Sequence, residues 1–205
     1  MSSPSDTYED VAAQLPLQHR TPRVWAELAA RQLGTFLADH AVCEQQAALA
    51  GLNLVAHYPD DDELVRCMTS LAAEEVSHLR RVIRLLHRRG LKPARRRANP
   101  YVTSLHSHMA RKNEPELKTD RLLVGALIEA RSCERFTRLL EVVEDGEVQE
   151  LLRDLGPAEQ RHWEMFHGLA ARRVTPGTLE RRWRGWLEWE GELMASLGTA
   201  PTVHG

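Results

Sequence analysis

The chain has little of what several large protein classes require. Among its 205 residues are three cysteines, Cys43, Cys67 and Cys133, with no Cys-x-x-Cys pair. So sparse and odd a set excludes a disulfide framework and predicts a reducing, cytoplasmic setting. No apolar run reaches the length of a membrane span, so no membrane partner is expected. Met1 to Arg20 is polar and acidic and lacks the apolar stretch of a secretory signal. Phenylalanine and tyrosine number three each and isoleucine is sparse, which gives strands little support.

One further absence is local. The formal net charge is -2, which by itself argues against a nucleic-acid partner. Yet no acidic residue occurs between Glu75 and Glu114. That interval holds Arg80, Arg81, Arg84, Arg88, Arg89, Lys92, Arg95, Arg96 and Arg97. One basic surface on a balanced protein is what a phosphate-backbone partner needs. The competing explanation is an ordinary solvated face.

What is present is helix-forming sequence. Apolar residues make up 42% and charged residues 27% of the chain, and long stretches are rich in Ala, Leu, Glu and Arg. The spacing predicts an all-α protein. Residues 1–20 read as a loosely ordered lead-in. Thr21-Pro22 reads as a cap and first helical position, with a short helix through Trp25 and Leu28. A helix over Leu33–His57 presents Leu33, Leu37, His40, Glu44, Ala47, Gly51 and Leu54 on one face.

Tyr58-Pro59-Asp60-Asp61 breaks that helix. The next, over about Asp61–Arg89, presents Leu64, Met68, Leu71, Glu75, His78, Val82 and Leu85, and Gly90 ends it. Folded back as a hairpin, the pair places Glu44 level with Glu75. Gly90 to Thr119 reads as a long irregular crossover. A third helix, capped by Thr119 or Asp120, runs to about Glu144 with Leu122, Ala126, Glu129, Cys133, Phe136, Leu140 and Val143 inward. After Asp145-Gly146 a fourth runs to about Ala171 with Val148, Leu151, Leu155, Glu159, His162, Phe166 and Leu169 inward; Pro157 predicts a kink or restart. Thr175-Pro176 opens a last helix to about Leu197, with Trp183, Trp186 and Trp189 as an outer aromatic stripe.

Two short stretches carry the chemistry. Glu75-Val76-Ser77-His78 and Glu159-Gln160-Arg161-His162 each set a carboxylate and an imidazole three residues apart, hence on one helix face. Each has a glutamate about 30 residues upstream, Glu44 and Glu129. This is the ligand pattern of a carboxylate-bridged dimetal site in a ferritin-like four-helix bundle. The spacing alone is weak, since about one Glu-x-x-His arises by chance in such a composition. A third copy, Glu164-Met165-Phe166-His167, continues onto the polar positions Gln149, Arg153 and Gln160 and is set aside. Placement on apolar stripes separates the other two, because buried carboxylates need a compensating charge. Mixed carboxylate and imidazole donors suit iron or manganese.

Glu134 competes with Glu129 for the third helix, since Cys133-Glu134 resembles Cys43-Glu44. Glu129 is favoured by its apolar stripe, and Glu134 stands as a possible hydrogen-bonding neighbour. His40, one turn before Glu44, is either a donor to that glutamate or a core histidine. His106 and His108 read as loop residues, and Cys43 and Cys133 as small buried ones.

Four strings resemble the tRNA hydroxylase family of MiaE type, from about Thr21 to Ala171. They are Leu37-Ala38-Asp39-His40-Ala41-Val42-Cys43-Glu44, Ala73-Glu74-Glu75-Val76-Ser77-His78, Gly125 to Phe136 with Glu129 inside it, and Glu159-Gln160-Arg161-His162-Trp163. The resemblance implies one ferritin-like domain over residues 1–205, with the core bundle at 21–171 and a C-terminal helix and tail at 172–205. It implies two iron ions held by Glu44, Glu75, His78, Glu129, Glu159 and His162, with O2 as co-substrate and an external electron donor. The implied reaction is hydroxylation of the isopentenyl group of 2-methylthio-N6-isopentenyladenosine at tRNA position 37. Implied partners are the tRNA anticodon stem-loop and a reductase, with the chain acting as a monomer or small homo-oligomer. Arg88, Arg89, Lys92, Arg95, Arg96 and Arg97 are the expected phosphate contacts. The alternatives are a ferritin-like iron-oxidising or peroxide-scavenging protein without an RNA substrate, and a metal-free helical interaction protein.

Overall fold

The computed structural model describes residues 7–95, 99–109 and 114–204. Among these there are eight helices and no strand: α1 Tyr8–Gln14, α2 Arg23–Arg31, α3 Leu33–His57, α4 Asp62–Arg88, α5 Pro100–His108, α6 Glu114–Leu140, α7 Gly146–Ala171 and α8 Pro176–Ser196. The long helices start and stop where local chemistry directs. Asp61 accepts from Leu64 N at 3.1 Å and opens α4. Asp145 accepts from Val148 N at 3.1 Å and opens α7. Thr175 caps α8 through Thr178 N at 3.4 Å. In each case the side chain satisfies a backbone donor that the first turn leaves over. Beyond α4, Gly90 adopts a φ of 67°, a conformation only glycine takes without strain.

Five expectations need correction. The lead-in is helical in part: Thr7 and Asp10 cap each other reciprocally and start α1, and Tyr8 is buried. The crossover contains α5, begun by Asn99, which accepts from Val102 N at 3.2 Å, with Pro100 in the first turn. Its histidines His106 and His108 are therefore helical. The third helix starts at Glu114 rather than at Thr119 or Asp120. Both of those residues are buried side chains within α6. Thr21 likewise is no cap; it is fully buried and bonded to Glu134. Finally, of the kink or restart expected at Pro157 the restart is absent, α7 being one helix from Gly146 to Ala171. Proline removes one donor, and the buried Leu155 and Ala158 on either side hold the helix in place.

The contacts divide the chain into two compact units. One comprises the described parts of Arg31–Ala98 and Pro201–Val203. In it α3 packs on α4, burying Phe36, Leu37, Leu64, Met68, Leu71, Val82 and Leu85. Val203 N donates to the buried Asp39 at 2.8 Å, tying the chain's end to α3. The other comprises the described parts of Met1–Ala30, Asn99–Ala200 and His204–Gly205. Its centre is the α6–α7 pair, with α1 and α8 against α6 and α5 against α8. A Cβ on Gly125 would lie 2.9 Å from the Phe166 ring, so glycine lets α6 and α7 approach one turn before Glu129.

Candidate metal centre

In the α3–α4 unit, Glu44, Glu75 and His78 come together as the sequence predicts. One donor atom of each lies within 4.8 Å of the others. His78 Nδ1 is 3.7 Å from Glu44 Oε2 and 3.7 Å from Glu75 Oε2. The cause is helical spacing on α4 and the level pairing of α3 with α4. His40, one turn before Glu44, places Nε2 2.5 Å from Glu44 Oε1 and so fixes that carboxylate. Burial pushes the Glu44 carboxyl up, but the charge and hydrogen bond of His40, with Glu75 and His78 close by, hold it well below the usual carboxylate range. Burial likewise opposes charge on His78, yet the neighbouring Glu44 and Glu75 carboxylates raise its pKa to about 10. Both shifts describe a pocket that favours positive charge between the two carboxylates.

In the α6–α7 unit the same set recurs. One donor atom each of Glu129, Glu159 and His162 lies within 4.8 Å of the others. All six residues are at most 6% exposed. Each triad brings two carboxylates and one imidazole into an apolar interior, a donor set of net negative charge. A dication fits it chemically: carboxylates are neutralised, and the imidazole nitrogen serves as a ligand.

Glu129 and Glu134 sit in different surroundings: Glu129 is grouped with Glu159 and His162. Glu134 is held in a polar network of its own. It accepts from Thr21 N at 2.8 Å, from Thr21 Oγ1 at 2.5 Å, from the Tyr8 hydroxyl and from Arg131 at 3.1 Å. Burial raises its pKa, but Arg131, Thr21 and Tyr8 together bring it below the ordinary value. Arg131, fully buried, also reaches Glu190 on α8 through Nε at 3.0 Å and Nη2 at 2.8 Å. Tyr101 on α5 donates to the same Glu190 at 3.0 Å. This network holds α1, α5 and α8 around α6, and no local sequence pattern announces it, since Arg131 and Glu190 lie 59 residues apart.

The third Glu-x-x-His does not form a site. Glu164 is exposed, and the His167 ring lies against Trp183 and Trp163, with centroids 5.2 and 6.2 Å away. Cys133 is buried beside Leu15 and Ala130, and Cys43 is half-buried. Of the tryptophan stripe, Trp186 is buried and its indole N–H donates to Asp120 at 3.0 Å. In the basic stretch Arg88, Lys92 and Arg95 are exposed and Arg89 partly so. Arg96 and Arg97 lie outside the described residues.

Comparison with known proteins bears on the whole chain. Residues 10–205 match the family described as tRNA-(MS[2]IO[6]A)-hydroxylase (MiaE). A tRNA 2-(methylsulfanyl)-N(6)-isopentenyladenosine(37) hydroxylase of Pseudomonas putida is 39% identical over 150 residues, 73% of this chain and 72% of that protein. One of the same description from Salmonella typhimurium is 27% identical over 225 aligned residues, covering 86% of this chain and 82% of that one. Among solved structures, protein 43 with aldehyde deformylating oxygenase activity from Synechococcus superposes with a TM-score of 0.87 at 31% identity. The match covers 92% of this chain and 95% of that one. The all-α, ferritin-like fold expected from the sequence is thereby established.

Proposed function

The chain belongs to the MiaE family of tRNA hydroxylases, and on that premise we propose that it is a non-haem di-iron monooxygenase of tRNA. The proposed reaction is O2-dependent hydroxylation of the isopentenyl group of 2-methylthio-N6-isopentenyladenosine at position 37. The observation that carries it is the repeated buried triad, Glu44, Glu75 and His78 on one hairpin and Glu129, Glu159 and His162 on the other. In this reading the chain is one ferritin-like domain and all six residues serve as ligands to two irons. Bound there, the irons supply the reductive activation of O2 that C–H hydroxylation needs, with electrons from an external reductase.

The chain's own residues set the conditions. His40 orients the Glu44 carboxylate. Leu37 and Leu71 in one hairpin, and Ala126 and Phe166 in the other, wall the ligands with apolar surface that excludes water. Arg88, Arg89, Lys92 and Arg95, with Arg96 and Arg97, are proposed to hold phosphates of the anticodon stem-loop. The target base lies in a loop and is already partly unstacked, so little pairing is lost on entry. With tRNA as the substrate, the expected place of this work is the cytoplasm.

A second reading is an oxygenase of a small apolar substrate, favoured by the activity in the description of the Synechococcus protein. Nucleoside analysis of tRNA from cells with and without this chain separates the two. Loss of the hydroxylated isopentenyl nucleoside on deletion is the expected result. Unchanged nucleosides alongside aldehyde turnover by the purified protein would favour the second reading.

A further inference from the structure

We propose that a slot beside the first half of α3 holds an unpaired nucleobase of the substrate tRNA, other than the base that is hydroxylated. This role rests on the tRNA reading and adds a base contact to the phosphate contacts of residues 88–97.

The slot is a cavity of about 430 Å³ within the α3–α4 unit. That volume lies in the range of small-ligand sites. α3 forms one wall, and the chain just after α4 and the tail at Thr202 form the others. Each of these irregular segments is tied to α3 by a backbone donor. Ala94 N donates to Ala38 O at 3.0 Å, and Val203 N donates to Asp39 Oδ2 at 2.8 Å. A Cβ on Gly34 would come within 3.1 Å of Leu91 Cδ1, so glycine lets Leu91 lie against α3. The walls are thus set by the fold before a ligand arrives, which lowers the cost of binding.

The lining selects the ligand. Ala38, Leu91 and Ala94 give apolar surface, of the kind that covers the face of a base taken out of its stack. Asp39 is the one acid lining the slot among the described residues, and its bond to Val203 N fixes the carboxylate. A carboxylate has several acceptor positions. It favours a ligand that brings N–H donors, as the amino groups of adenine and cytosine do. Lys92 also lines the slot, is exposed and brings a positive charge. A donor-bearing ring with an anionic group beside it is a nucleotide. Arg88 and Arg95, both exposed, lie on either side of Lys92 in the chain, and no acidic residue occurs between Glu75 and Glu114. Positive charge that continues past the slot suits a strand of phosphates better than a single small anion.

The test is fluorescence anisotropy of the iron-loaded protein with an anticodon stem-loop RNA over a salt series, beside titrations with AMP and UMP. Ala38→Leu fills the slot and keeps a good helix former. It should weaken stem-loop binding roughly ten-fold and leave the salt slope unchanged, because no phosphate contact is removed. Thr35→Leu, at an exposed position that lines the same slot, should act in the same direction and serves if the first variant unfolds. Wild type should bind AMP more tightly than UMP, whose ring has no amino group and sets carbonyls on both sides of its N–H, where they repel a carboxylate. Equal affinity for AMP and UMP overturns the part given to Asp39. Wild-type protein without affinity for the stem-loop overturns the tRNA reading itself. Unchanged stem-loop affinity in both folded variants overturns the slot and leaves the tRNA reading standing. If AMP binding is nonetheless lost in those variants, the slot belongs to a free nucleotide.

Discussion

Two carboxylates on α6, Glu129 and Glu134, are both buried and lie five residues apart, yet they keep different company. Glu134 is surrounded by donors: Thr21 N, Thr21 Oγ1, the Tyr8 hydroxyl and the Arg131 guanidinium. Glu129 is gathered with another carboxylate, Glu159, and with His162. Burial alone therefore does not mark a metal ligand. A carboxylate ringed by donors is stabilised by the folded chain itself, whereas one grouped with acids and an imidazole is stabilised by a cation. The polar network around Glu134 makes α6 a structural axis, and the grouping around Glu129 makes it the proposed ligand carrier as well.

The largest effect should come from breaking the network at its cation. Arg131→Met leaves Glu190 and Glu134 buried without their guanidinium, and should lower stability by about 3–5 kcal/mol in urea unfolding. Glu134→Gln keeps the shape but weakens the charged hydrogen bonds, and should cost about 1–3 kcal/mol. It should also flatten the acid side of the stability profile. The carboxyl of Glu134 is depressed below its ordinary 4.5 in the folded chain. Its contribution is therefore present above the unfolded value and lost as pH falls through the folded one. Glu129→Gln should do the opposite without metal. It relieves repulsion from Glu159, so unfolding of the metal-free variant should occur at equal or higher urea. Tyr8→Phe removes one donor from Glu134 and should cost about 1 kcal/mol. The smallest effect is on reactivity: burial, with Glu134 and Glu164 nearby, pushes the Cys133 thiol up to about 12. Alkylation at neutral pH should therefore modify Cys43 and Cys67 before Cys133, as peptide mapping would show.

What was legible in the sequence was local. The boundaries of α3, α4, α7 and α8 follow from caps and periodicity within a few residues. The coming together of Glu44, Glu75 and His78, and of Glu129, Glu159 and His162, follows from i, i+3 spacing on apolar stripes and from helix pairing. Two of the missed helices did carry signals: Thr7 with Asp10 is a capping pair, and Asn99-Pro100 is a helix start, but the surrounding prolines and arginines of the crossover obscured the second. Other features have no local signature. Thr21 resembles a cap and instead bonds to a side chain 113 residues away. Glu134 matches Glu44 in its immediate neighbours, and its bonds to Tyr8, Thr21 and Arg131 are invisible in that short string. The apolar stripe separated Glu129 from Glu134 because it reports which face is shared with α7, which a short string cannot.

Metal analysis of three purified proteins, reconstituted anaerobically with Fe(II) and desalted, tests the assignment of the centre most directly. Wild type and Glu134→Gln should each retain two irons per chain, while Glu129→Gln should retain fewer. Two irons in Glu129→Gln, with loss in Glu134→Gln, would contradict it.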